Sequence, residues 1–595
     1  MKRFLIILIT GLWLCGSLSA QDRKLDKSLN EKVRAHKEEK GRIGDKGNKG
    51  KEKVRVIMKF IPSLRVGAEA ESKKNGGKEL KKFNVLSGNV VELSVDALDT
   101  LTKHPGIHGI SLDVPVESKQ AVVPTASASA SHLRVTSGAM AAMATYGSRG
   151  NGVGIAIIDS GIAKSPDLNN VVKSVNFTGD GLPARSDPYG HGTHVAGLAA
   201  GKGTTANGRF RGIAPEASLI DLRVLNGDGA GYTSDVIGAI EWAIANRNAV
   251  GDNGLPMNIR VINLSLGHAP NESTATDPLA AICREAVRQG IVVVVAAGNF
   301  GKNANGVAVS GGITSPGTER SVVTVGAMTT WGTDVRTDDS VATYSSRGPT
   351  YLDGIAKPDI AAPGTALVGP KSPKSKLVTL HPELSIDTNH MKLTGTSMAA
   401  PVVAGAAALI LQKNGGLKPN AVKAILMYTA EKRNDSALAV GAGYLNIVGA
   451  VNMAVNINSS APAGAFWLVN NGLGLNYTNI IKNSPVVWSK RMLWGNRLYG
   501  GTLLNYNTAS WGQTIVWGET IVWGETIVWG ETIVWGETIV WGETIVWGET
   551  IVWGETIVWS ETIVWGETIV WGESAETTST TETVVWGDAT ETEEF

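Results

Sequence analysis

From Ser397 to Leu411 the chain carries no charged residue: Ser397-Met398-Ala399-Ala400-Pro401 leads into an apolar run that ends at Leu411. A run of this kind is a buried helix, with Pro401 tolerated in a first helical turn and Gly395 allowing close approach before it. The pattern places that helix over Ala399 to Lys413. A serine at its start stands in the positive end of the helix dipole, beside N–H groups that the helix leaves unused and that can face a developing oxyanion. Ser before an apolar run is also the ordinary signature of a helix cap. Ser397 therefore carries chemistry only if the chain also supplies a base, an orienting acid and a second oxyanion donor.

Around this helix, residues 132–455 alternate short apolar strands with helices. Strands fit Val153 to Ile158, Ser218 to Leu225, Arg260 to Ser265, Ile291 to Ala297 and Val322 to Val325. Helices fit Thr233 to Arg247, Pro278 to Gln289 and Pro419 to Thr429. Strands apolar on both faces and separated by helices imply an α/β fold, a parallel sheet flanked by helices.

Three further residues stand where chemistry is placed in such a fold. Asp159 ends the first strand in Ile157-Ile158-Asp159-Ser160-Gly161, at the carboxyl edge where an open α/β sheet binds ligands; taken alone it is also a turn or cap Asp. His191, within Asp187-Pro188-Tyr189-Gly190-His191-Gly192-Thr193-His194, has glycine on both sides, so its imidazole can project from the start of a helix. The His191/His194 pair invites a metal reading, but no Glu or Cys stands nearby at ligand spacing. Asn299 follows the apolar stretch Val295-Ala296-Ala297-Gly298, and its side-chain NH₂ can donate to an oxyanion; after Gly it also fits a plain turn.

Together these stretches, in the order Asp, His, Ser, resemble subtilisin-like serine proteases at Ile158-Asp159-Ser160-Gly161, His191-Gly192-Thr193-His194-Val195-Ala196-Gly197 and Gly395-Thr396-Ser397-Met398-Ala399-Ala400-Pro401. The resemblance implies that Ser397 is the nucleophile, His191 the general base and then acid, and Asp159 the residue that orients the imidazole and stabilises its cation. It makes Asn299 and the Ser397 N–H the oxyanion hole. Gly229-Ala230-Gly231 and Ser265-Leu266-Gly267 resemble the two edges that hold an extended peptide as an added strand. By the same resemblance the side-chain pocket is walled by Ala296, Ala297, Gly298 and Thr314. Its apolar lining, without a nearby acidic residue, favours apolar or medium-sized side chains over Lys or Arg, and Thr314 shrinks it where the family often has Gly. Val402 departs from the His frequent in the family after the motif's Pro, on the helix away from the chemistry. Gly201 to Gly212 replaces the Asn-rich calcium loop of many members without a matching ligand set. No cofactor is required for the chemistry, and a structural calcium stays open and unassigned.

The amino-terminal part divides into shorter pieces. Met1-Lys2-Arg3, the apolar run Phe4 to Cys15 and the small residues up to Ala20 form a signal peptide, 1–20, too short to span a bilayer, so the protein is expected to be secreted or at the cell surface. Cys15 leaves with it, and Cys283 remains as a buried, inert thiol rather than half of a disulfide. From Gln21 to Phe60 there are 14 Lys and Arg against 7 Asp and Glu, but Lys, Glu, Gly and Asp are mixed without aromatic residues. Residues 21–52 thus read as a solvated charged linker and not as a nucleic-acid surface. Residues 53–118 read as a small α+β unit. It contains a strand at Val54 to Phe60, a strand pair around Gly88 between Val85 and Val95, a short helix from Asp96 to Leu101 capped by Asp96, and alternation from Ile107 to Val116. The resemblance makes this unit an inhibitory propeptide, the chain's own partner, removed by self-cleavage. Residues 119–131 form an exposed linker, Ala/Ser-rich from Thr125 to Ser131.

Beyond the catalytic region, 456–512 reads as a Gly/Asn-rich connector and 513–595 as an acidic repeat tail, with 16 acidic residues and no basic one. Ten Thr-Ile-Val-Trp units recur every six residues, one followed by Ser560 in place of Gly, with an echo at Val584-Val585-Trp586-Gly587-Asp588. Such units fit a chain of tight hairpins or a solenoid. Their Ile, Val and Trp seek a partner, by self-association or cell-surface contact, while a plain spacer and a carbohydrate platform are competing readings. The whole sequence implies an exported serine endopeptidase acting on polypeptides and matured by self-cleavage. The alternative is a surface or assembly protein built on the tail, whose protease module acts mainly on itself.

Overall fold

The computed structural model describes residues 24–43, 52–118, 132–303, 305–462, 464–473, 475–494 and 497–512, with four short strands in the tail. The signal peptide at 1–20, the linker at 119–131 and most of the tail lie outside the described residues. Residues up to Asp113 form one unit and those from Val114 a second.

In the first unit an antiparallel sheet has β1 (Lys53–Phe60) between β3 (Gly88–Ser94) and β4 (Ile107–Leu112), with β2 (Lys78–Phe83) on the far side of β3. The hairpin partner of β3 therefore lies before the turn at 84–87, not in a strand pair around Gly88. Within the stretch read as a charged linker, 21–52, residues Lys27–Ile43 form helix α1. Leu29 and Val33, one turn apart, are buried in the same core as Leu98 and Leu101, while Glu31, Lys32, Arg34 and Lys37 stay exposed. Helix α2 (Arg65–Lys74) follows β1, and α3 (Val95–Leu101) starts after Ser94 without a side-chain cap. Asp96 sits in the first turn of α3 and meets His36 at 3.1 Å, so it is not the capping residue.

The second unit opens with β5 (Pro115–Glu117), which is separate from β4 and ends the continuous alternation expected through Val116. Short helices α4 (Leu133–Thr136) and α5 (Ala139–Tyr146) lead into the main sheet. Its strands are β6 (Gly154–Asp159), β7 (Val171–Asn176), β8 (Ser218–Arg223), then, after the short β9 (Ala230–Tyr232), β10 (Ile259–Leu264), β11 (Val292–Ala296), β12 (Val323–Thr329), β13 (Ser340–Val341) and β14 (Ile360–Pro363). The spatial order is β7-β8-β6-β10-β11-β12-β14, all parallel, with β13 antiparallel on β12. A separate hairpin pairs β15 (Leu367–Pro370) with β16 (His390–Leu393).

Parallel strands buried on both faces need helices on both sides. Val261, Val292, Val294 and Ala296 face the core shared with α6 (His191–Ala200) and α10 (Thr396–Lys413). Helices α7 (Thr233–Ala245) and α8 (Pro278–Arg288) pack on each other and on the sheet. Cys283 on α8 is buried, and burial pushes its thiol well up, away from the reactive thiolate. The short α9 (Lys376–Leu380) lies in the insertion between β15 and β16, and α11 (Pro419–Tyr428), α12 (Ala437–Val440) and α13 (Ile447–Val455) follow α10.

Helix α10 is long and apolar enough to cross a membrane, yet it is the central helix of this fold, buried from Thr396 to Leu411. It begins three residues before the expected Ala399, which moves Pro401 out of the first turn and into the helix interior. The core also continues past Val455. Trp467, Trp488, Trp494, Leu504 and Trp511 join it, so 456–512 is packed structure and not a connector. In the tail, Ile539–Trp541 pairs in parallel with Ile551–Trp553, and Val558–Trp559 with Val570–Trp571, each two repeat units on. Tight turns join antiparallel strands only, so among the described residues the repeats follow solenoid pairing and not hairpins.

The hairpin β15–β16 is tied down by one buried histidine. His390 Nδ1 lies 2.9 Å from Asp387 Oδ1 and its Nε2 3.1 Å from Asp167 Oδ2, with the Phe210 ring packed against it. Asp167 also accepts from Thr205 N at 2.8 Å and Thr205 Oγ1 at 2.6 Å, which anchors the loop after α6. Burial alone would lower the His390 pKa, but the two carboxylates reverse this and hold it above its ordinary value. The same contacts outweigh burial at Asp167 and Asp387 and hold both carboxyls low. The imidazolium's contribution is thus complete below about pH 6.5 and fades as pH rises through the raised folded value; that of the carboxylates is present above about pH 4 and fades in acid. His390→Gln should therefore lower the melting temperature most between about pH 4 and 6.5, by the loss of hydrogen bonds to charged groups worth about 1.5–3 kcal/mol each, and flatten the alkaline slope. Melting curves across pH in a Ser397→Ala background check this; an equal loss at every pH would refute it.

Candidate active site

The order of the sheet reverses beside β6: β8 and β7 lie on one side and β10, β11 and β12 on the other. Crevices open at the carboxyl ends of strands at such a point. There β6 ends in Asp159, β10 runs into Ser265, and β11 runs into Gly298 and Asn299.

His191 is the first residue of α6. Gly190 before it has φ +104°, and a Cβ on Gly192 would fall 2.3 Å from the Gly161 carbonyl oxygen and 3.1 Å from Asp159 Cβ. Glycine on both sides thus lets the helix start press against the end of β6. His191 Nδ1 lies 2.8 and 3.0 Å from the two Asp159 oxygens, both side chains buried. A carboxylate at Nδ1 fixes the imidazole's tautomer and orientation and leaves Nε2 for other work. His191 Nε2 is buried without a hydrogen-bond partner among the described residues. His194, three residues on, has Nε2 3.0 Å from the Leu367 carbonyl, and burial lowers its pKa to about 3, so it is a neutral core histidine.

Two residues that the sequence left without a role support this pair. Asp187 is fully buried and accepts from Gly190 N (2.6 Å), Thr193 N (2.9 Å), Thr193 Oγ1 (2.6 Å) and Ser160 Oγ (2.8 Å). Ser160 Oγ in turn accepts from Gly192 N at 2.9 Å. Together they satisfy the open N–H groups at the start of α6. Burial pushes the Asp187 carboxyl up to about 6, against the pull of these hydrogen bonds. The available signal was an Asp shortly before a helix start, with a Ser beside Asp159.

Ser397 lies in the first turn of α10. Pro401, four residues on, has no N–H for the Ser397 carbonyl. That carbonyl accepts from Ser265 Oγ at 2.8 Å, while Ser397 Oγ donates to the Ser265 carbonyl at 3.1 Å. The hydroxyl of Ser397 is therefore turned to β10's end and is not hydrogen-bonded to His191. Asn299 Oδ1 accepts from Thr396 N (3.0 Å) and Thr396 Oγ1 (3.1 Å), which fixes the orientation of its amide. A Cβ placed on Gly395 would lie 3.2 Å from Asn299 Nδ2 and 3.6 Å from Ser397 N, so these two donors border one space.

Beside them is a cavity of about 480 Å³ lined by Ser397, Asn299, Gly298, Ala296, Leu266 and Thr314. The Thr314 methyl comes within 2.8 Å of where a Gly298 Cβ would sit, which narrows it. Ala297, expected in the wall, is instead buried in the sheet, donating to the Val325 carbonyl and accepting from Thr314 N. The two expected edges, Gly229-Ala230-Gly231 and Ser265-Leu266-Gly267, have a strand of this chain between them. β5 pairs antiparallel with β9, Val116 opposite Gly231 and Glu117 opposite Ala230. On its other side Glu117 N donates to the Gly267 carbonyl at 3.3 Å and Gly267 N to the Glu117 carbonyl at 3.4 Å. Ser118 N donates to the Gly229 carbonyl at 3.2 Å. Among the described residues no group of three or more His, Cys, Asp or Glu is placed to hold a metal ion.

Residues 150–444 match the model of the Subtilase family. Serine protease AprX of Bacillus subtilis (strain 168) is 35% identical over 408 residues, covering 67% of this chain and 87% of its own length. Subtilisin E of the same strain is 32% identical over 402 residues, covering 66% of this chain and 89% of its own. The fold also matches the crystal structure of fervidolysin from Fervidobacterium pennivorans, described as a keratinolytic enzyme related to subtilisin. That match has a TM-score of 0.52 at 23% identity, over 69% of this chain and 62% of the other.

The Ser265–Ser397 link makes a specific prediction. Ser265→Ala leaves the buried Ser397 carbonyl without its donor, at a cost of about 1–3 kcal/mol. Pro401→Ala restores an N–H at that carbonyl, so Ser265→Ala should cost markedly less when Pro401→Ala is present. Denaturant unfolding of the four members of this cycle, each carrying Ser397→Ala to prevent self-digestion, measures the coupling; purely additive losses would refute it.

Proposed function

Since this chain belongs to the subtilase family and is a serine endopeptidase, we propose that Ser397, His191 and Asp159 carry out its peptide-bond hydrolysis, with Asn299 and the Ser397 N–H as the oxyanion hole. The observation that carries this reading is the buried Asp159–His191 pair, its Nε2 without a partner, at the end of β6, whose neighbour β10 runs into the Ser265 that bonds Ser397. Rotation of the Ser397 side chain away from the Ser265 carbonyl brings its hydroxyl to His191 Nε2. The imidazole takes the proton as Oγ attacks the substrate carbonyl, and Asp159 offsets the charge of the imidazolium. The oxyanion forms between Asn299 Nδ2 and Ser397 N. The proton then passes to the leaving amine, and water, activated by the same imidazole, releases the acyl group and restores Ser397.

On this reading the substrate is a polypeptide held as an added strand between Gly229–Gly231 and Ser265–Gly267. β5, lying in that position, supports a role for residues 53–118 as an inhibitory propeptide removed by self-cleavage. The run from Phe4 to Cys15 supports export through a signal peptide. A second reading, a surface or assembly protein built on the tail, draws on the parallel pairing of its repeats.

Ser397→Ala should remain full length and fail to react with an organophosphonate probe, and Asn299→Ala should lower kcat by about 10²–10³ with little change in KM. Electrophoresis, probe labelling and steady-state kinetics check these, and a Ser397→Ala chain that processes itself would sink the assignment. Turnover of unfolded casein by the wild-type protein favours the first reading; loss of residues 53–118 without casein turnover favours the second.

A further inference from the structure

Where α4 meets the loop after α6 and the start of β15, positive charge collects without a carboxylate beside it. A small cavity of about 20 Å³ there is walled by Arg134, Arg209 and Arg211 and by the apolar Phe210, Leu367 and Val368. Arg134 is itself buried, at 9% exposure. Its Nε has no hydrogen-bond partner among the described residues, and its Nη2 meets the Met143 sulfur, a weak acceptor, at 3.3 Å. Arg211 Nε donates to the Lys202 carbonyl at 3.1 Å, and the Arg209 guanidinium lies over the Phe210 ring, 5.1 Å from its centre. Neither contact supplies a negative charge. Arg149, whose charge also reaches Arg134, is paired with Glu216 at 3.2 Å.

Elsewhere in the same unit the buried cations Arg223, Arg336, Lys357 and Lys423 each meet a carboxylate, on Asp180, Glu431 and, for both lysines, Asp359. A buried charge without a counter-charge is strongly unfavourable, and a guanidinium does not readily relieve this by losing its proton. Burial, with Arg211 and Arg149 nearby, lowers the Arg134 pKa to about 10, which still leaves the group charged at neutral pH. The chain that leads into α4, residues 119–131, contains no Asp or Glu to serve as partner. We propose that Arg134, Arg209 and Arg211 form a halide-binding site, filled by chloride from solution, that fastens α4 to the loop after α6 and to β15.

Size and surroundings decide the class of anion. The cavity has room for about one water-sized particle. A chloride or bromide ion matches that space, whereas a tetrahedral oxyanion, with four oxygens around its centre, does not. Phe210, Leu367 and Val368 keep competing water from the ion, and in apolar surroundings its attraction to the guanidinium groups is stronger than in water. The same three positive charges repel a metal cation. A bound halide would act where α4, the first helix after the linker at 119–131, meets the hairpin that His390 anchors, and Phe210 packs against both the cavity and the His390 ring.

The test uses the full-length Ser397→Ala chain, so that self-digestion does not interfere. Melting curves are recorded at constant ionic strength while sodium gluconate is replaced stepwise by sodium chloride or bromide, and in a parallel series by sodium sulfate. Chloride and bromide should raise the melting temperature saturably, by about 1–2 °C. Arg134→Met keeps the apolar stem and removes the charge; it should lose that rise, yet melt no lower than its parent in gluconate, because it gives up a cation that had no counter-charge. Arg209→Gln and Arg211→Gln should each raise the half-saturating chloride concentration by about threefold or more. Crystals grown in bromide should show an anomalous peak within hydrogen-bond distance of Arg134 Nε, and this peak and the two outer variants decide the matter should Arg134→Met fail to fold. An equal chloride response in Arg134→Met and its parent, or none in either, overturns the proposal. So does a bromide peak only at other places, and a saturable, Arg134-dependent response to sulfate alone overturns the halide assignment.

Discussion

Pro401 has no N–H, and much of the site's construction follows from that single missing donor. Inside α10 the Ser397 carbonyl would ordinarily accept from the residue four positions on, and here it cannot. A buried carbonyl left unpaired costs about 1–3 kcal/mol. Ser265 supplies the donor from the end of β10, and its own carbonyl in turn accepts from Ser397 Oγ. The residue before Ser397 is satisfied the same way: Thr396 N goes to Asn299 at the end of β11. Two strand ends are thus fastened to one helix start by hydrogen bonds that the helix's own geometry demands. Ser265, Asn299 and Ser397 are positioned together because they meet the needs of one buried helix terminus.

The start of α6 poses the opposite problem. Its first N–H groups need acceptors, and the imidazole at its first position needs an orienting partner. Two carboxylates answer at different points. Asp159 meets the imidazole directly at Nδ1. Asp187 spends its oxygens on the helix N–H groups and on Ser160, holding the turn that carries His191 without touching the ring. Burial drives Asp187 to about 6, so for its ionised form desolvation outweighs the gain from capping, at a net cost that grows as pH rises from the ordinary carboxylate range through about 6. The division leaves one acid on the imidazole and one on the helix start.

The placement of Asp159, His191, Asn299 and Ser397 at element ends was legible in the sequence because each lies at the junction of an apolar element with a glycine-containing turn. That local pattern survives in a one-dimensional reading. Asp187 was not, because a carboxylate in a Gly- and Pro-containing stretch looks the same whether it is exposed or sealed against a helix start. Ala297 was misplaced for a related reason: it adjoins Gly298, yet Val325 of β12 and the loop residue Thr314 take its two main-chain groups. Helix α1 was hidden by its charge, since only Leu29 and Val33 report the buried side of an otherwise polar segment. The tryptophans of 456–512 sit among Asn and Gly, so composition spoke for a connector while burial in the main core decided otherwise. Pairing is the least local property of all. Nothing near Pro115 announces β9, more than a hundred residues away, and nothing within a six-residue repeat separates parallel neighbours from hairpins.

If a substrate takes the place of β5, as proposed, the geometry of the cleft also limits what can be cut. A strand between Gly229–Gly231 and Gly267 uses main-chain groups on both of its edges, as Glu117 and Ser118 do. A segment in a helix has spent those groups internally, and one inside a sheet has at most one edge free. Only a chain that is locally unfolded over several residues can offer both edges at once. Because backbone hydrogen bonds are common to all sequences, such a site binds broadly, and selectivity falls to the few side chains that point inward. The local stability of a target protein therefore sets which of its peptide bonds are reached, before any side-chain preference acts.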